Sequence, residues 1–483
     1  MTVFAPPHPD DAKLSAMEQG LLQPRSNISY LPHQLAGVTW MLAREQEKLA
    51  GGILADDMGL GKTFQTIGLL KNSPHDWRTL IICPPVLLSA WADELRACGI
   101  TVAVLNGVRF SGRASVYLTT YQKACMYSRA LCDIAERIIL DEGHIIRNAG
   151  TTRARRCMEI AASAKSRWIL SATPIQNGAK DWRSLCEWLR FPPKVDASAV
   201  MLRRTMSELR GSATLPPPPH FVEHNLTIPP DSEESRLFHV LGNNLENAMD
   251  GPAQMRLAMW MRIQQFMVHP QIYIDGMRAR VGTSRPDWPA SETTTKWTEF
   301  SGILRTCIAE KQPTIVFCNF RAEMDLVESH ALAAGAAVFS VRGGTDAGAA
   351  VKDSKQAWID GRPVVVVIQI VSGGAGLNLQ FCTRILFLSQ HWNPAVVHQA
   401  VGRAVRIGQP ATVDIHIFRI VDKVMDNIDL RMLGLHRTKV GVARGICDSF
   451  YEGFHESVLP EPEKVDVPLP PAVVVDGCKD APK

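Results

Sequence analysis

Short runs of β-branched and aliphatic residues alternate with helix-period segments along most of this chain. In the first half the runs are Leu80 to Cys83, Val116 to Thr120, Arg137 to Leu140 and Trp168 to Ala172. After a gap the same texture resumes with Thr314 to Cys318, Ala337 to Val341, Val364 to Ile370, Arg384 to Ser389 and Val413 to Phe418. Apolar runs of this length between helical patterns predict parallel sheets covered by helices, one sheet in each half. The texture changes between the halves. Leu215-Pro216-Pro217-Pro218-Pro219 fits neither a helix interior nor a central strand. Ser232 to Gln271 then reads as helical, with Met, Leu and Trp at mixed spacing. The pattern predicts an α/β protein with an N-terminal extension (1–28), a first lobe (29–205), a proline-rich and helical interlobe region (206–295), a second lobe (296–445) and a tail (446–483). Both ends are proline-rich and read as poorly ordered.

Composition narrows the class without naming a function. A chain of 483 residues is long for one core. Its 46% hydrophobic and 21% charged content is globular, and its net charge of +4 permits a local nucleic-acid patch without arguing for one. The 11 cysteines are scattered with no C-x-x-C pair, so neither a zinc module nor a disulfide framework is read. Cys83, Cys318 and Cys382 sit in apolar runs as core residues, a use of thiols that suits a reducing interior. No uninterrupted apolar stretch reaches membrane-spanning length and no signal peptide opens the chain, so a soluble intracellular protein is expected.

The candidate chemistry lies in Asp56-Asp57-Met58-Gly59-Leu60-Gly61-Lys62-Thr63 and, far downstream, Asp141-Glu142-Gly143-His144. Apolar Gly52-Ile53-Leu54 runs into the glycine-bearing turn, and Phe64 to Leu70 reads as the helix after it. Successive N–H groups at such a helix start cradle phosphates. Lys62 would reach the outer phosphates and the Thr63 hydroxyl would ligate magnesium. Asp56 stands where the usual G-x-x-x-x-G-K-[ST] pattern has its first glycine. The bland alternative, a glycine-rich turn with a surface lysine, is weakened by Asp141 and Glu142, which follow a strand at the sheet edge where ligands bind. Asp141 can hold the metal, and Glu142 can orient or deprotonate an attacking water.

The second half adds Gln399 to Gln409, in which Arg403 and Arg406 are three residues apart. On a helix that spacing puts both guanidinium groups on one face. Aimed across a cleft at a triphosphate, they would stabilise charge developing on the transferred phosphoryl group; the alternative is a solvated basic helix. Ser372 to Leu379 is a glycine-rich loop after the strand Val364 to Ile370, a weak signal taken alone.

These segments follow a definite order: Leu31-Pro32-His33-Gln34 with Gly37 and Trp40-Met41, the phosphate loop, Ile82-Cys83-Pro84-Pro85 with Trp91 and Glu94, and Leu118-Thr119-Thr120-Tyr121. The acidic box comes next, then Leu170-Ser171-Ala172-Thr173-Pro174-Ile175-Gln176-Asn177, Leu202-Arg203-Arg204-Thr205 and His269-Pro270. Ile315-Val316-Phe317, Gly374 to Leu379, Trp392-Asn393-Pro394 and the Gln399 to Gln409 segment close the series. The ordered set resembles the Swi/Snf-type (Snf2-like) branch of the superfamily-two helicase-like ATPases, over roughly Tyr30 to Lys439.

The resemblance implies two tandem RecA-like lobes with ATP and Mg2+ between them. By the same token Gln34 would read the adenine edge with His33 in support, and Asp57 to Thr63 would hold the nucleotide. His144, Ser171, Thr173 and Gln399 would couple the nucleotide site to the other lobe. Thr119, Thr120, Gly374 and Asn378 would face nucleic acid, and Trp392 matches an aromatic near bound DNA, its alternative being an ordinary core tryptophan. Asp57 replaces a usual glutamate, and Ser389-Gln390-His391 stand where many members have an acidic and a proline residue. The Gly143 form of the box is closest to a repair-associated subgroup, but its zinc-bound finger is not expected here, nor is any other appended module. The implied function is a near-minimal, monomeric DNA-stimulated ATPase that translocates on double-stranded DNA and remodels DNA or protein–DNA complexes. A strand-separating helicase is the alternative. A nucleus, a viral replication compartment and a bacterial cytoplasm all remain open as settings.

Overall fold

Alternate residues of each central strand enter different cores, and this period of two shows that both sheets are covered on both faces. Leu80 and Ile82 join one cluster with Ile53 and Leu140, while Ile81 and Cys83 join another with Leu54 and Ile139. In the second half Ile315 and Phe317 face one cluster, and Val316 and Cys318 the other. A parallel strand sandwiched in this way must be apolar at nearly every position, which is why these strands read as unbroken hydrophobic runs. The computed structural model describes residues 20–25, 28–107, 114–176, 178–209, 215–248, 252–282, 286–289, 291–292, 294–370, 377–421, 429–430 and 432.

The first sheet contains β1 (Ala50–Leu54), β2 (Thr79–Cys83), β3 (Val102–Val104), β4 (Val116–Thr120), β5 (Arg137–Asp141), β6 (Ser166–Leu170) and β7 (Met201–Leu202), in the order β3-β4-β2-β5-β6-β1-β7. The second contains β8 (His220–Leu226), β9 (Thr314–Cys318), β10 (Ala337–Val341), β11 (Val364–Gln369), β12 (Arg384–Phe387) and β13 (Asp414–Ile420), in the order β10-β11-β9-β12-β13-β8. Both are parallel, and helices flank them as two RecA-like lobes. After β1 the chain crosses β6 and β5 to reach β2, which opens a crevice at the carboxyl ends of β1, β6 and β5. The register Leu54↔Leu170↔Asp141 aligns those three ends.

A buried ion pair lies at the amino ends of β5 and β6, away from the crevice. Arg137 Nε donates to Glu45 Oε1 at 2.6 Å, and that oxygen also accepts from Ser166 Oγ (2.8 Å) and Trp168 Nε1 (3.1 Å). Burial alone would push the Glu45 carboxyl up, but Arg137 and the two neutral donors hold it below its ordinary value.

The strands β3, β7 and β8 are absent from the sequence pattern. β8 lies in the stretch expected as interlobe region, yet it pairs with β13 along all its residues, His220↔Asp414 to Leu226↔Ile420. His-Phe-Val-Glu-His-Asn-Leu has no apolar run because it forms a sheet edge; its stability comes from β13, where His224 stacks on Phe418 at 4.5 Å. The helical reading of Ser232 to Gln271 resolves into three helices, Glu233–Ala248, Ala253–Val268 and Pro270–Val281, packed around Phe238, Phe266 and Tyr273. Among the described residues no helix is long and apolar enough to cross a membrane.

Candidate active site

The phosphate loop leaves β1 and turns through Gly59 and Gly61, both at φ +84°, before the helix Lys62–Asn72 begins. Left-handed glycines at a helix start turn consecutive N–H groups into one concave surface, the geometry an anion needs. The loop is braced from behind. Asp56, with no exposed surface, receives Arg204 Nε at 3.0 Å and Gln65 Nε2 at 2.9 Å. Asp57 receives Arg203 Nη2 at 3.0 Å and the Met206 N–H at 3.1 Å. Backbone bonds from Ala55 N to Leu202 O and from Asp57 N to Arg204 O add to this splint. Asp56 therefore serves as an anchor where a glycine is usual. Arg203, Arg204 and Gln65 carried no assigned role in the sequence; the one available signal was a pair of arginines matching a pair of aspartates in charge.

Lys62 folds back so that Nζ donates to Asp56 O (2.6 Å) and Asp57 O (3.2 Å). Burial draws its pKa down, against the opposing charges of Glu142, Asp56, Asp57 and Asp141. His33 Nε2 lies 2.9 Å from Leu60 O, to which Gln34 Nε2 also donates at 3.2 Å, while Gln34 Oε1 accepts from Leu31 N. Both side chains thus support the loop directly. Thr63 follows Lys62 in the first helical turn, partly exposed beside the loop.

The acids stand across the crevice. Asp141 Oδ2 accepts from Trp91 Nε1 at 2.7 Å, and its carbonyl accepts from the Tyr121 hydroxyl at 2.8 Å. Burial and the neighbouring Glu142 charge raise the Asp141 pKa to about 6. Glu142 adopts φ +52°, an uncommon backbone for this residue type, which swings its carboxylate into the crevice. Burial pushes that group up, but His144 at 3.3 Å together with the charges of Lys62 and Arg403 keeps it below the ordinary value. His144 Nδ1 lies 3.0 Å from Ser171 Oγ, which accepts from Thr173 N at 3.2 Å. Three of the expected coupling residues are therefore in one contact chain, and Trp91 and Tyr121 are additions to the site.

The second lobe closes over the crevice. Gln399 Nε2 lies 3.5 Å from Glu142 Oε2, the outer limit of a hydrogen bond. Arg403 is 2% exposed, and its Nε and Nη2 find no hydrogen-bond partner among the described residues. Burial lowers its pKa to about 10, with the Glu142 charge opposing. A buried guanidinium with unpaired nitrogens, facing two carboxylates and a phosphate loop, fits a polyanion such as ATP, which would supply the missing acceptors. Arg406 packs across Gly59, and Met58 packs beneath Gly402. The helix expected through Gln409 ends sooner. It spans Pro394–Val401, and Arg403 and Arg406 lie in the irregular turn that follows. Leu379 N, from elsewhere in the lobe, takes the Arg403 carbonyl, and Gln409 N closes a local turn on that of Arg406, so these bonds replace the helical ladder there. The two arginines still reach one cleft, by this turn and not by a shared helix face.

The residues expected at nucleic acid are more dispersed. Thr119 and Thr120 are buried, and Thr120 Oγ1 caps the helix Tyr121–Met126 by accepting from Lys123 N at 3.3 Å. Asn378 is exposed, with Oδ1 accepting from Gln380 N. Trp392 is 43% exposed and so is no core tryptophan. Gly374 and Asn177 lie outside the described residues.

Residues 33–199 match the SNF2-related domain and residues 296–408 match the Helicase conserved C-terminal domain, together more than half of the chain and covering both walls of the crevice. The chain belongs to the Snf2 family. It is similar to a protein of Orgyia pseudotsugata multicapsid polyhedrosis virus described as "Probable global transactivator", 27% identical over 78% of this chain and 84% of that one. It is also similar to the "ISWI chromatin-remodeling complex ATPase CHR11" of Arabidopsis thaliana, 24% identical over 80% of this chain and 40% of that one. The solved "Sulfolobus solfataricus SWI2/SNF2 ATPase core in complex with dsDNA" is 22% identical, covering 88% of this chain and 96% of that chain at a TM-score of 0.39. The chain spans about half the length, or less, of several cellular relatives.

As a Snf2-family enzyme the protein is an ATP hydrolase of helicase type. One departure from the family pattern finds its explanation in the fold. Ser389, the first of the three residues that stand where many Snf2-family members have an acidic and a proline residue, lies 2.7 Å and 3.0 Å from the two oxygens of the buried Glu323 carboxyl. A buried carboxyl on the neighbouring helix Arg321–Ala333 thus serves as the hydrogen-bond partner that anchors the turn leading to Trp392.

Proposed function

We propose that this chain is a DNA-stimulated ATPase that translocates on duplex DNA and remodels DNA or protein–DNA complexes. The observation that carries the reading is the meeting of Lys62, Asp141 and Glu142 of one lobe with the unsatisfied Arg403 of the other in a single cleft. Bound Mg2+ would supply charge neutralisation between the phosphates, with Thr63 and Asp141 as its protein ligands. Lys62 would leave the carbonyls of Asp56 and Asp57 for the outer phosphates, and Glu142 would orient the attacking water. Gln34, whose amide retains one hydrogen and one lone pair beyond its loop contacts, would read adenine.

A nucleotide that bridges the lobes favours the closed cleft, and hydrolysis removes the bridge. Lobes that each hold a phosphodiester backbone would then ratchet along it. The segments of Thr119 and Thr120 on one lobe, and of Gly374, Asn378 and Trp392 on the other, are the holding elements in this reading. Backbone contacts carry little sequence information, so site-specific binding is not expected. The test is displacement of a third strand from the major groove of a duplex, driven by ATP and weakened steeply by salt. Efficient separation of a forked duplex with no effect on the triplex would replace this reading with a strand-separating helicase.

A further inference from the structure

Among the described residues, a further hydrogen bond joins the two lobes directly. Asn393 Nδ2 donates to Gln176 Oε1 at 2.9 Å, and both side chains are buried. The orientation of each amide is fixed by its other bonds. Asn393 Oδ1 caps the helix Pro394–Val401 by accepting from Ala395 N, which leaves its amino group facing Gln176. Gln176 Nε2 in turn lies 3.3 Å from Thr173 Oγ1, to which it donates.

Each neighbour extends the path. Thr173 N reaches Ser171 Oγ, Ser171 Oγ meets His144, and His144 meets Glu142. On the second lobe, Asn393 follows the exposed Trp392. The turn before it is pinned to its own lobe by Asn319 Nδ2, which donates to Ser389 Oγ and Gln390 O, and by Gln264 Nε2, which donates to Gln390 O. A turn held this firmly moves with its lobe. Opening of the cleft would therefore break the Gln176–Asn393 bond and give it different energies in two states, as coupling requires.

We propose that Gln176 and Asn393 are positioning residues that tie the hydrolytic centre at Glu142 to the turn carrying Trp392, so that grip on DNA depends on cleft closure. The assignment rests on the translocase reading for its DNA consequence, but not for the closure it predicts.

The test uses the chemistry of the pair in the full chain. Gln176→Glu keeps an acceptor for Asn393. Asn393→Asp keeps the helix cap, and Gln176 can reverse its amide to donate to the new carboxylate. Each single variant therefore preserves DNA-stimulated turnover, while the double variant sets two carboxylates face to face. The double variant should lose DNA-stimulated turnover by roughly tenfold, within the 5–150-fold span of ordinary coupling energies, and basal turnover by distinctly less. Asn393→Ser, which keeps the cap without reaching Gln176, should show a smaller loss in the same direction and serves if the double variant does not fold. A fluorescent pair reporting lobe approach on addition of a non-hydrolysable ATP analogue should show reduced closure in the double variant and in Asn393→Ser. Full closure in both overturns the proposal, as do equal losses of basal and stimulated turnover. If DNA leaves wild-type turnover unchanged, the translocase reading fails, and the closure measurement still decides the contact.

Discussion

Arg406 lies against Gly59 so closely that a methyl group built on the glycine would meet Arg406 Cβ at 2.5 Å and Cα at 2.8 Å. At Gly59 the phosphate loop thus presents its backbone, not a side chain, to the second lobe. Glycine is required there twice, by φ +84° and by the space. Gly59→Ala should strain the loop by about 1–2 kcal/mol and wedge the lobes apart. We expect ATP turnover to fall by an order of magnitude or more, measured as steady-state phosphate release. Wild-type turnover would show that the lobes do not close in this manner.

Lys62→Ala should abolish hydrolysis, because a methyl group cannot meet the outer phosphates. Glu142→Gln should bind ATP yet fail to turn it over, since Asp141 survives with its Trp91 and Tyr121 contacts. Equilibrium binding of a fluorescent ATP analogue, compared with phosphate release, separates the two. Near-normal turnover in either variant would remove these residues from the site.

Arg403→Ala and Arg406→Ala should each lower turnover on the order of 10³-fold with little loss of nucleotide affinity. Arg403 is the sharper case, because its buried guanidinium is incompletely paired without a ligand. Its removal should leave stability unchanged or improved, while catalysis collapses. A large destabilisation with modest loss of turnover would mark it as structural.

Arg204→Ala would strand the buried Asp56 carboxylate beside the phosphate loop. Loss of one partner from a buried pair costs about 3–5 kcal/mol, so urea unfolding should reveal a substantial drop. Should stability change by only a few tenths, Asp56 would not be the loop's anchor.

Glu323 supplies a pH dependence. Burial pushes its carboxyl from 4.5 to about 7, against hydrogen bonds from Ser389 and the backbone of Phe320 and Asn319. Between those values the folded chain keeps a proton that the unfolded chain has released. This contribution to stability is therefore largest below about pH 4.5 and declines until about pH 7, above which it is flat. Glu323→Gln, whose amide can satisfy the same partners, should remove a decline on the order of 3 kcal/mol. Urea titrations at pH 5 and 7.5 would show the wild type and the variant diverging; identical slopes would refute the assignment.

Much of the site was legible because its chemistry is local. A strand, a glycine turn and a lysine–threonine helix start lie within a few residues of one another, and Asp141-Glu142 follow β5 directly. The paired sheets were legible for a similar reason, since strands buried on both faces declare themselves as apolar runs. The edge strand β8 did not, because its stability comes from β13 rather than from its own residues. Nor did the sequence reveal that Arg403 and Arg406 sit in a turn, because Leu379 N, supplied from elsewhere in the lobe, takes the carbonyl that a helix would have used. The braces Arg204 on Asp56 and Arg203 on Asp57, and the bond from Asn393 to Gln176, join residues more than a hundred positions apart. Sequence determined which groups are on offer for the proposed binding and splitting of ATP. Only the tertiary structure decided which of them meet, because a charge or an amide is specified by its own residue, whereas its partner is specified by how two lobes pack.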